Sequence, residues 1–561
     1  MKKYIILLLL LCLAACSFND NTTTPTQTTV PTRTTLPTDT AIPSPTATAE
    51  TIDIDWWNEA VFYEIYVRSF YDSDGDGIGD LIGLIEKLDY LNDGNPATDA
   101  DLGVTALWLM PIFPSPSEHS YDVTDFYDVS PEYGSLEDFR LLVEEVHARG
   151  MRLILDLPLN HTSSEHPWFI HSQDPASPYR DWYTWKDSDP GFMGPWNRQV
   201  WHALNGDYFY GYFWEGMPDL NYTNPEVTAE MQNVTRFWLE EMGIDGFRLD
   251  AIGALIEVGT ETVETQASHD WFKDYFAFYK SIKPEAMTVG EIWVPDAVVA
   301  PWVINQEVDF AFEFDLSFAM IGSLNDGNAG RMLDTLKTGT SMFPEGKYGT
   351  FLSNHDMERV MTQIGGNPEK AKAGASLYFS LPGVPFIYYG EEIGLFGVIA
   401  DGGGRAPMQW NGLKYAGFSE ASPWIPVGEH FTTYNVKDET DDPDSLLAHY
   451  RKLIALRKAH PALQGGELSL PRTSSASLFA SLRTTEDESI LVIVNLGSSA
   501  VRMPEVSLTT SPLLAGSYTA TSLLDDSRMG KLTVLENGKI LDYIPLAEIA
   551  PYGTVVILLE R

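Results

Sequence analysis

Three stretches of the chain end on a carboxylate after a short apolar run: Gly246-Phe247-Arg248-Leu249-Asp250, Val289-Gly290-Glu291, and Phe351 followed by Asn354-His355-Asp356. Residues two apart on an extended strand project to the same side, so Arg248 and Asp250 would share one face. A guanidinium within reach lowers a carboxyl pKa, which predicts an Asp250 that is ionised at neutral pH and ready to act as a nucleophile. Glu291 is followed by Ile292 and Trp293, apolar neighbours that disfavour its charge, so it is expected to keep its proton and serve as a general acid. Two carboxyls of unlike pKa flanking one bond are the apparatus of glycoside hydrolysis, with their separation deciding retention or inversion. Asp356, next to His355, could hold sugar hydroxyls and favour an oxocarbenium-like transition state. Any one of these acids alone reads more readily as a strand-end salt bridge. Their joint occurrence at successive strand ends points to a catalytic set.

The elements that must position them follow from the apolar pattern. Past Asp53, short β-rich runs alternate with amphipathic stretches, the mark of a parallel α/β architecture. The runs are 61–67, 105–110, 152–156, 246–250, 288–291, 308–315, 348–354 and 385–389, the eight strands that a (β/α)8 TIM barrel requires. In such barrels the active site sits at the C-terminal strand ends, where Asp156, Asp250, Glu291 and Asp356 would converge. An aromatic-rich stretch after the third strand, 160–225, is too long for a simple connection and is expected to form an inserted small domain. The barrel would then comprise 53–159 and 226–462. A helix is expected near 445–460, and beyond it the alternating pattern of 463–561 predicts a C-terminal antiparallel β-sandwich.

Asp156 to His161 (DLPLNH), Gly246 to Asp250 (GFRLD), Glu291 with Trp293, and Phe351 to Asp356 (FLSNHD) resemble, in order and spacing, the four signature regions of glycoside hydrolase family 13, the alpha-amylase superfamily. The resemblance runs from about residue 55 to the C-terminus. It implies a retaining mechanism with Asp250 as nucleophile, Glu291 as general acid/base and Asp356 as transition-state stabiliser. It also implies that His161, Arg248 and His355 line the sugar subsite at the cleavage point. His119-Ser120-Tyr121 is similar to the family segment whose Tyr stacks on that sugar while the His bonds its hydroxyls. Exo-acting alpha-glucosidases of the family usually carry an Asp three residues before the Tyr, where this chain has Glu118, and Ala251 resembles α-1,4-acting members. The implied activity is an endo-acting alpha-amylase on starch, glycogen or maltodextrins, with a 4-alpha-glucanotransferase, alpha-glucosidase or neopullulanase-like enzyme as the alternative. Met217 to Asn221 (MPDLN) resembles a form intermediate between oligo-1,6-glucosidases and neopullulanases, and Gly253-Ala254 stands where many alpha-amylases have Lys-His. A non-catalytic glycan-binding protein is a remote third reading.

Asp72-Ser73-Asp74-Gly75-Asp76-Gly77-Ile78-Gly79-Asp80 spaces oxygen donors like the first half of an EF-hand, with Gly77 at the sharp turn and the closing Glu missing. In many relatives the same loop holds calcium through four acids and the Ile carbonyl. The resemblance therefore implies a structural Ca2+ at Asp72, Asp74, Asp76, Ile78 and Asp80, and no metal in catalysis. Asn160 and Asp219 match another calcium site of many alpha-amylases.

The 561 residues carry a formal charge of −43, which works against binding nucleic acid but is compatible with a neutral carbohydrate. Lys2, Lys3 and an apolar run to Leu13 read as an export signal, and Leu13-Ala14-Ala15-Cys16 resembles a bacterial lipobox, with Cys16 as the lipidation site. With only Cys12 and Cys16 in the chain, no internal disulfide is expected after processing. The Thr/Pro-rich stretch 17–52 would be an extended tether. These features predict a monomer held at the bacterial cell envelope through its N-terminal lipid alone.

Overall fold

A computed structural model describes residues 55–194 and 197–561. The segments expected to be an export signal, a lipobox at Cys16 and a Thr/Pro-rich tether lie outside the described residues. Among the described residues no helix is long and apolar enough to cross a membrane.

Eight parallel strands close into a barrel in the order Phe62–Ile65, Ala106–Leu109, Arg152–Leu157, Gly246–Leu249, Met287–Gly290, Phe310–Phe312, Tyr348–Thr350 and Val384–Tyr388, and the last pairs with the first. Each of the eight runs expected from sequence supplies one strand. Period-two alternation sorts their side chains. Phe62, Ala106, Trp108, Ile154, Val289, Phe310, Phe312 and Phe386 form one buried cluster inside the barrel. The intervening Tyr63, Ile65, Leu107, Leu109, Leu153, Leu155, Phe247 and Leu249 join the layer packed under the surrounding helices. Phe62 stacks on Phe386 across the closing seam, with centroids 4.5 Å apart and planes at 7°.

The same parity turns Glu64, Asp156 and Arg248 inward, above the apolar layers. Register fixes their height: Glu64 lies opposite Trp108, and Asp156 opposite Arg248. Helices return the chain between strands. The helix Leu136–Ala148 opens on a reciprocal cap, the Ser135 side chain accepting from Asp138 N–H while the Asp138 carboxylate accepts from Ser135 N–H.

The insertion after the third strand holds a three-stranded antiparallel sheet of Trp185–Lys186, Asp207–Tyr210 and Trp201–Leu204. It packs on the helix Pro167–Ser172 through Phe169, Trp185 and Phe209, with Phe169 centroids 5.6 Å from Trp185 and 4.9 Å from Phe209. Its two ends are joined by a bridge between His161 and Asp219 and by a hydrogen bond from Leu220 N–H to Asn160 C=O at 2.9 Å, and contacts such as Ser163 N–H to Val123 C=O at 2.8 Å and the Thr184 hydroxyl to Glu257 Oε1 at 3.2 Å tie it to barrel segments.

After the helix Leu446–Ala459, capped by Ser445, the chain becomes antiparallel. A six-stranded sheet includes the long strands Leu478–Thr484, Ser489–Asn495, Thr554–Glu560 and Gly516–Ser522. A three-stranded sheet that includes Val506–Leu508 and Ile540–Tyr543 packs with it around an apolar core of its own, giving the sandwich architecture.

Candidate active site

One guanidinium organises the mouth of the barrel. Arg248 is buried, and its Nη1 donates to Asp156 Oδ1 at 2.8 Å and to Asp250 Oδ1 at 2.7 Å, while Nη2 lies 2.8 Å from Glu291 Oε2. Asp250 and Glu291 are each 9% exposed. Ala251, in a left-handed conformation (φ 45°), turns the chain so that its N–H donates to Glu291 Oε2 at 3.0 Å. That turn binds the end of the fourth strand to the carboxyl after the fifth.

Opposite this fork stands His355. Its Nδ1 lies 2.6 Å from Glu64 Oε1, and its Nε2 lies 3.1 Å from Asp356 Oδ2 and 2.8 Å from the Tyr121 hydroxyl. Tyr121 OH also donates to Asp156 Oδ2 at 2.9 Å, closing a ring of contacts from Arg248 to His355. Arg405 Nη2 lies 3.0 Å from Asp356 Oδ1, and its Nε donates to the His355 carbonyl at 3.2 Å. The Asp356 side chain keeps 39% of its exposure, so it faces the open mouth. Trp293 is 49% exposed and lies flat on Phe314, at 4.6 Å and 15°.

Electrostatics at the mouth depart from the expectation for Asp250. Burial raises its pKa above the usual carboxylate range, and Arg248 only partly opposes this. Burial is the larger influence and Asp356 adds to it, while the cation that the local sequence assigns to Asp250 also contacts Asp156 and Glu291. Burial likewise raises Glu291, as expected for a general acid, and lifts Asp156 to about 7. Asp356 goes the other way: burial works against its charge, but His355 and Arg405 outweigh it and hold its carboxyl well below the ordinary range. For His355, burial again opposes the charge, yet Asp356 and Glu64 prevail and raise it to about 10.

The remaining expected sugar-lining residues are also placed. His119 Nδ1 accepts from Tyr121 N–H at 3.1 Å. His161 is fully buried, pushed down to about 4 by burial, and its Nε2 has no hydrogen-bond partner among the described residues. Sequence reasoning missed Glu64, Trp108 and Arg405, and read Asp156 only as a strand-end acid of a signature segment. The inward parity of Phe62 and Glu64 on one strand was the available signal for Glu64. Arg405, in a glycine-rich loop, carries none.

Of the five expected metal donors, Asp72, Asp74 and Asp80 have carboxylate oxygens within 4.8 Å of one another, while Asp76 is not part of that group. Asp76 Oδ1 instead accepts Ile78 N–H at 2.7 Å. Asp80 also caps the helix Leu81–Glu86 through Gly83 N–H, and Asp72 takes Gly75 N–H at 2.7 Å and Gly77 N–H at 2.8 Å. An all-oxygen donor set of three acids fits a hard divalent cation. Elsewhere, Asn160 Oδ1 and Asp219 Oδ2 are buried without a partner among the described residues, and burial holds the Asp219 pKa well above normal. The acidic loop of Asp93 to Asp101 is solvated at the surface.

A closed eight-stranded parallel barrel with a ring of carboxyls at the C-terminal mouth, an insertion after the third strand and a C-terminal sandwich defines a class of retaining glycosidase. The family model described as the alpha-amylase catalytic domain matches residues 64–466, and the chain belongs to the alpha-amylase family, glycoside hydrolase family 13. It is 40% identical over 451 residues to an alpha-amylase, alpha-amylase 3, of Dictyoglomus thermophilum, covering 79% of this chain and 85% of that protein. It is 32% identical over 547 residues to the oligo-1,6-glucosidase of Parageobacillus thermoglucosidasius, covering 82% and 95%. The crystal structure of an alpha-amylase from H. orenii superposes with a TM-score of 0.77 at 39% identity, covering 89% of this chain and 99% of that one.

Proposed function

We propose that this enzyme is an endo-acting alpha-amylase that hydrolyses α-1,4-glucosidic bonds in starch, glycogen or maltodextrins. The observation that carries the reading is identity of 40% and 39% to two alpha-amylases, along most of both chains, against 32% for the oligo-1,6-glucosidase. The site supports it. Glu118, where exo-acting relatives carry an Asp, is exposed.

In the first step an Asp250 oxygen bonds to the anomeric carbon as the glycosidic C–O bond breaks, and Glu291 passes its proton to the departing oxygen. In the second, Glu291 takes a proton from water, whose oxygen bonds to the same carbon as Asp250 leaves. Each step inverts the anomeric carbon once, so the two together retain its configuration. Arg248 touches both carboxylates and balances the charge as it moves from one to the other. Asp356, kept ionised by His355 and Arg405, accepts sugar hydroxyls and faces the positive charge developing on the ring.

Trp293 favours a second reading, a 4-alpha-glucanotransferase. Its half-exposed indole, two residues past Glu291 and backed by Phe314, offers a face on which an acceptor sugar could stack in place of water. Products from soluble starch and from maltotriose, followed over time beside Asp250→Asn, decide between them. An endo-hydrolase shortens long chains rapidly, whereas oligosaccharides longer than maltotriose identify a transferase and glucose from the outset an alpha-glucosidase. The Asn variant should lose roughly 10^4-fold or more of turnover, as removal of one member of a concerted set does.

Two further proposals concern the surroundings of the barrel. Calcium, as a structural ion, is the cation that suits the Asp72, Asp74 and Asp80 oxygens, because it tolerates irregular oxygen shells better than magnesium does. Lipid on Cys16 would hold a monomer at the cell envelope, with the Thr/Pro-rich stretch as tether; radiolabelled palmitate incorporated by the natural chain and lost in Cys16→Ser checks it.

A further inference from the structure

Glu64 lies on the first barrel strand, buried, 291 residues from the histidine it meets. It touches none of the proposed reacting carboxylates. Its Oε1 is 2.6 Å from His355 Nδ1, while the other ring nitrogen of His355 is 3.1 Å from an Asp356 oxygen. An imidazole flanked by a carboxylate on each nitrogen satisfies both only when both nitrogens carry protons. We propose that Glu64 is a positioning residue that locks His355 as a doubly protonated imidazolium, so that its Nε2–H is a permanent donor at the cleavage subsite and Asp356 is held ionised in one orientation.

The groups facing His355 make Glu64, beside Asp356, one of the two carboxylates that hold its charge. From its own loop comes Asp356, and from the loop after the second strand the Tyr121 hydroxyl, 2.8 Å from Nε2. Trp108 presents a ring edge-on at 5.8 Å and has no charge. Arg248, Asp156 and Asp250 lie behind Tyr121, and Arg405 reaches the His355 carbonyl. The cations Arg248 and Arg405 disfavour a charged ring, and burial does the same. Asp356 already shares its charge with Arg405. Glu64 is the only carboxylate among these on the Nδ1 side. The charge that burial opposes is held by Asp356 on one nitrogen and by Glu64 on the other, consistent with the His355 pKa standing at about 10.

Removing that carboxylate lets His355 lose its proton at lower pH. Wild-type His355 stays charged until pH rises through its raised pKa, so an enzyme lacking Glu64 should fail first on the alkaline side. With a natural glucan the Glu291 proton also governs that side. An α-maltotriosyl fluoride, whose leaving group needs no proton, removes Glu291 from the alkaline limb of kcat/KM.

The experiment is kcat/KM for α-maltotriosyl fluoride from pH 5 to 9.5, for wild type, Glu64→Gln and Glu64→Asp. Expected for Glu64→Gln is a value within 3-fold of wild type at pH 5.5 and at least 10-fold below it at pH 9. Glu64→Asp should restore most of the loss. A fall by the same factor at every pH, or no fall at pH 9, overturns the proposal, since a merely structural role moves the level and not the shape. If Glu64→Gln does not accumulate as folded protein, Glu64→Asp decides the matter: a smaller inward shift of the alkaline limb supports the proposal and an unmoved limb refutes it. The inference rests on glycosidase activity common to the family and not on the endo-acting reading. Starch products of the wild type can therefore fail the latter while this pH signature stands.

Discussion

Arg248 illustrates how one side chain sets the chemistry of several. Three buried carboxylates, Asp156, Asp250 and Glu291, lean on its guanidinium. Arg248→Ala leaves them without that counter-charge, and stability at neutral pH should fall by about 3–5 kcal/mol in urea unfolding. The sign with pH follows from the same charges. Without the cation the folded-state pKa values of these acids, already raised, rise further above their unfolded values. The variant then loses stability as pH climbs from the unfolded values through the folded ones, while below about pH 3, with the acids protonated in both states, the deficit shrinks. A deficit that grows on acidification would contradict this account. The Arg248–Asp250 pair was legible two residues apart on one strand. Its sharing was not, because Asp156 and Glu291 come from neighbouring strands, and neither was the burial that raises the Asp250 pKa against the expected lowering. Glu64 escaped for the same reason: within Phe62-Tyr63-Glu64-Ile65 it is an ordinary strand residue until the barrel brings His355 to it.

At the scale of elements, strand parity does most of the positioning. The eight runs could be read because buried parallel strands are continuous apolar segments. The insertion was evident from length alone, whereas its three short strands were not, being only 2–4 residues each. The fourth strand depends on its first residue. A Cβ added at Gly246 would stand 2.1 Å from the Met287 carbonyl oxygen, inside the ladder that joins the fourth and fifth strands. Those two strands carry Arg248, Asp250 and Glu291. Gly246→Ala should therefore lower stability by about 1–3 kcal/mol, read from thermal melts, and reduce kcat more than it raises KM. Unchanged kcat with a normal melt would show that the ladder absorbs the methyl group.

At the scale of the molecule, the loop from Asp72 to Asp80 is a clasp between the segments after the first and the last barrel strands. It follows the first strand, yet Gly77 turns against the segment after the eighth: its C=O accepts Trp424 N–H at 2.9 Å, and a Cβ on Gly77 would stand 2.2 Å from Ser422 O. The Ser419 hydroxyl donates to Asp72. A cation on Asp72, Asp74 and Asp80 would tighten that junction and stabilise by mass action. Chelator should lower the melting temperature, added calcium should restore it, and Asp74→Asn should blunt both responses. A melt indifferent to chelator and to calcium would mean that the loop's own hydrogen bonds suffice.

The pairing of the first strand with the last also sets a timetable for synthesis. Glu64 leaves the ribosome early, while His355, Asp356 and Arg405 are made late, and the seam cannot zip until residues of the eighth strand are available. No partial chain ending before that strand can hold the assembled mouth. Active enzyme therefore arises late and all at once, and a nascent chain stalled short of Arg405 should be catalytically silent however much of the barrel it has built.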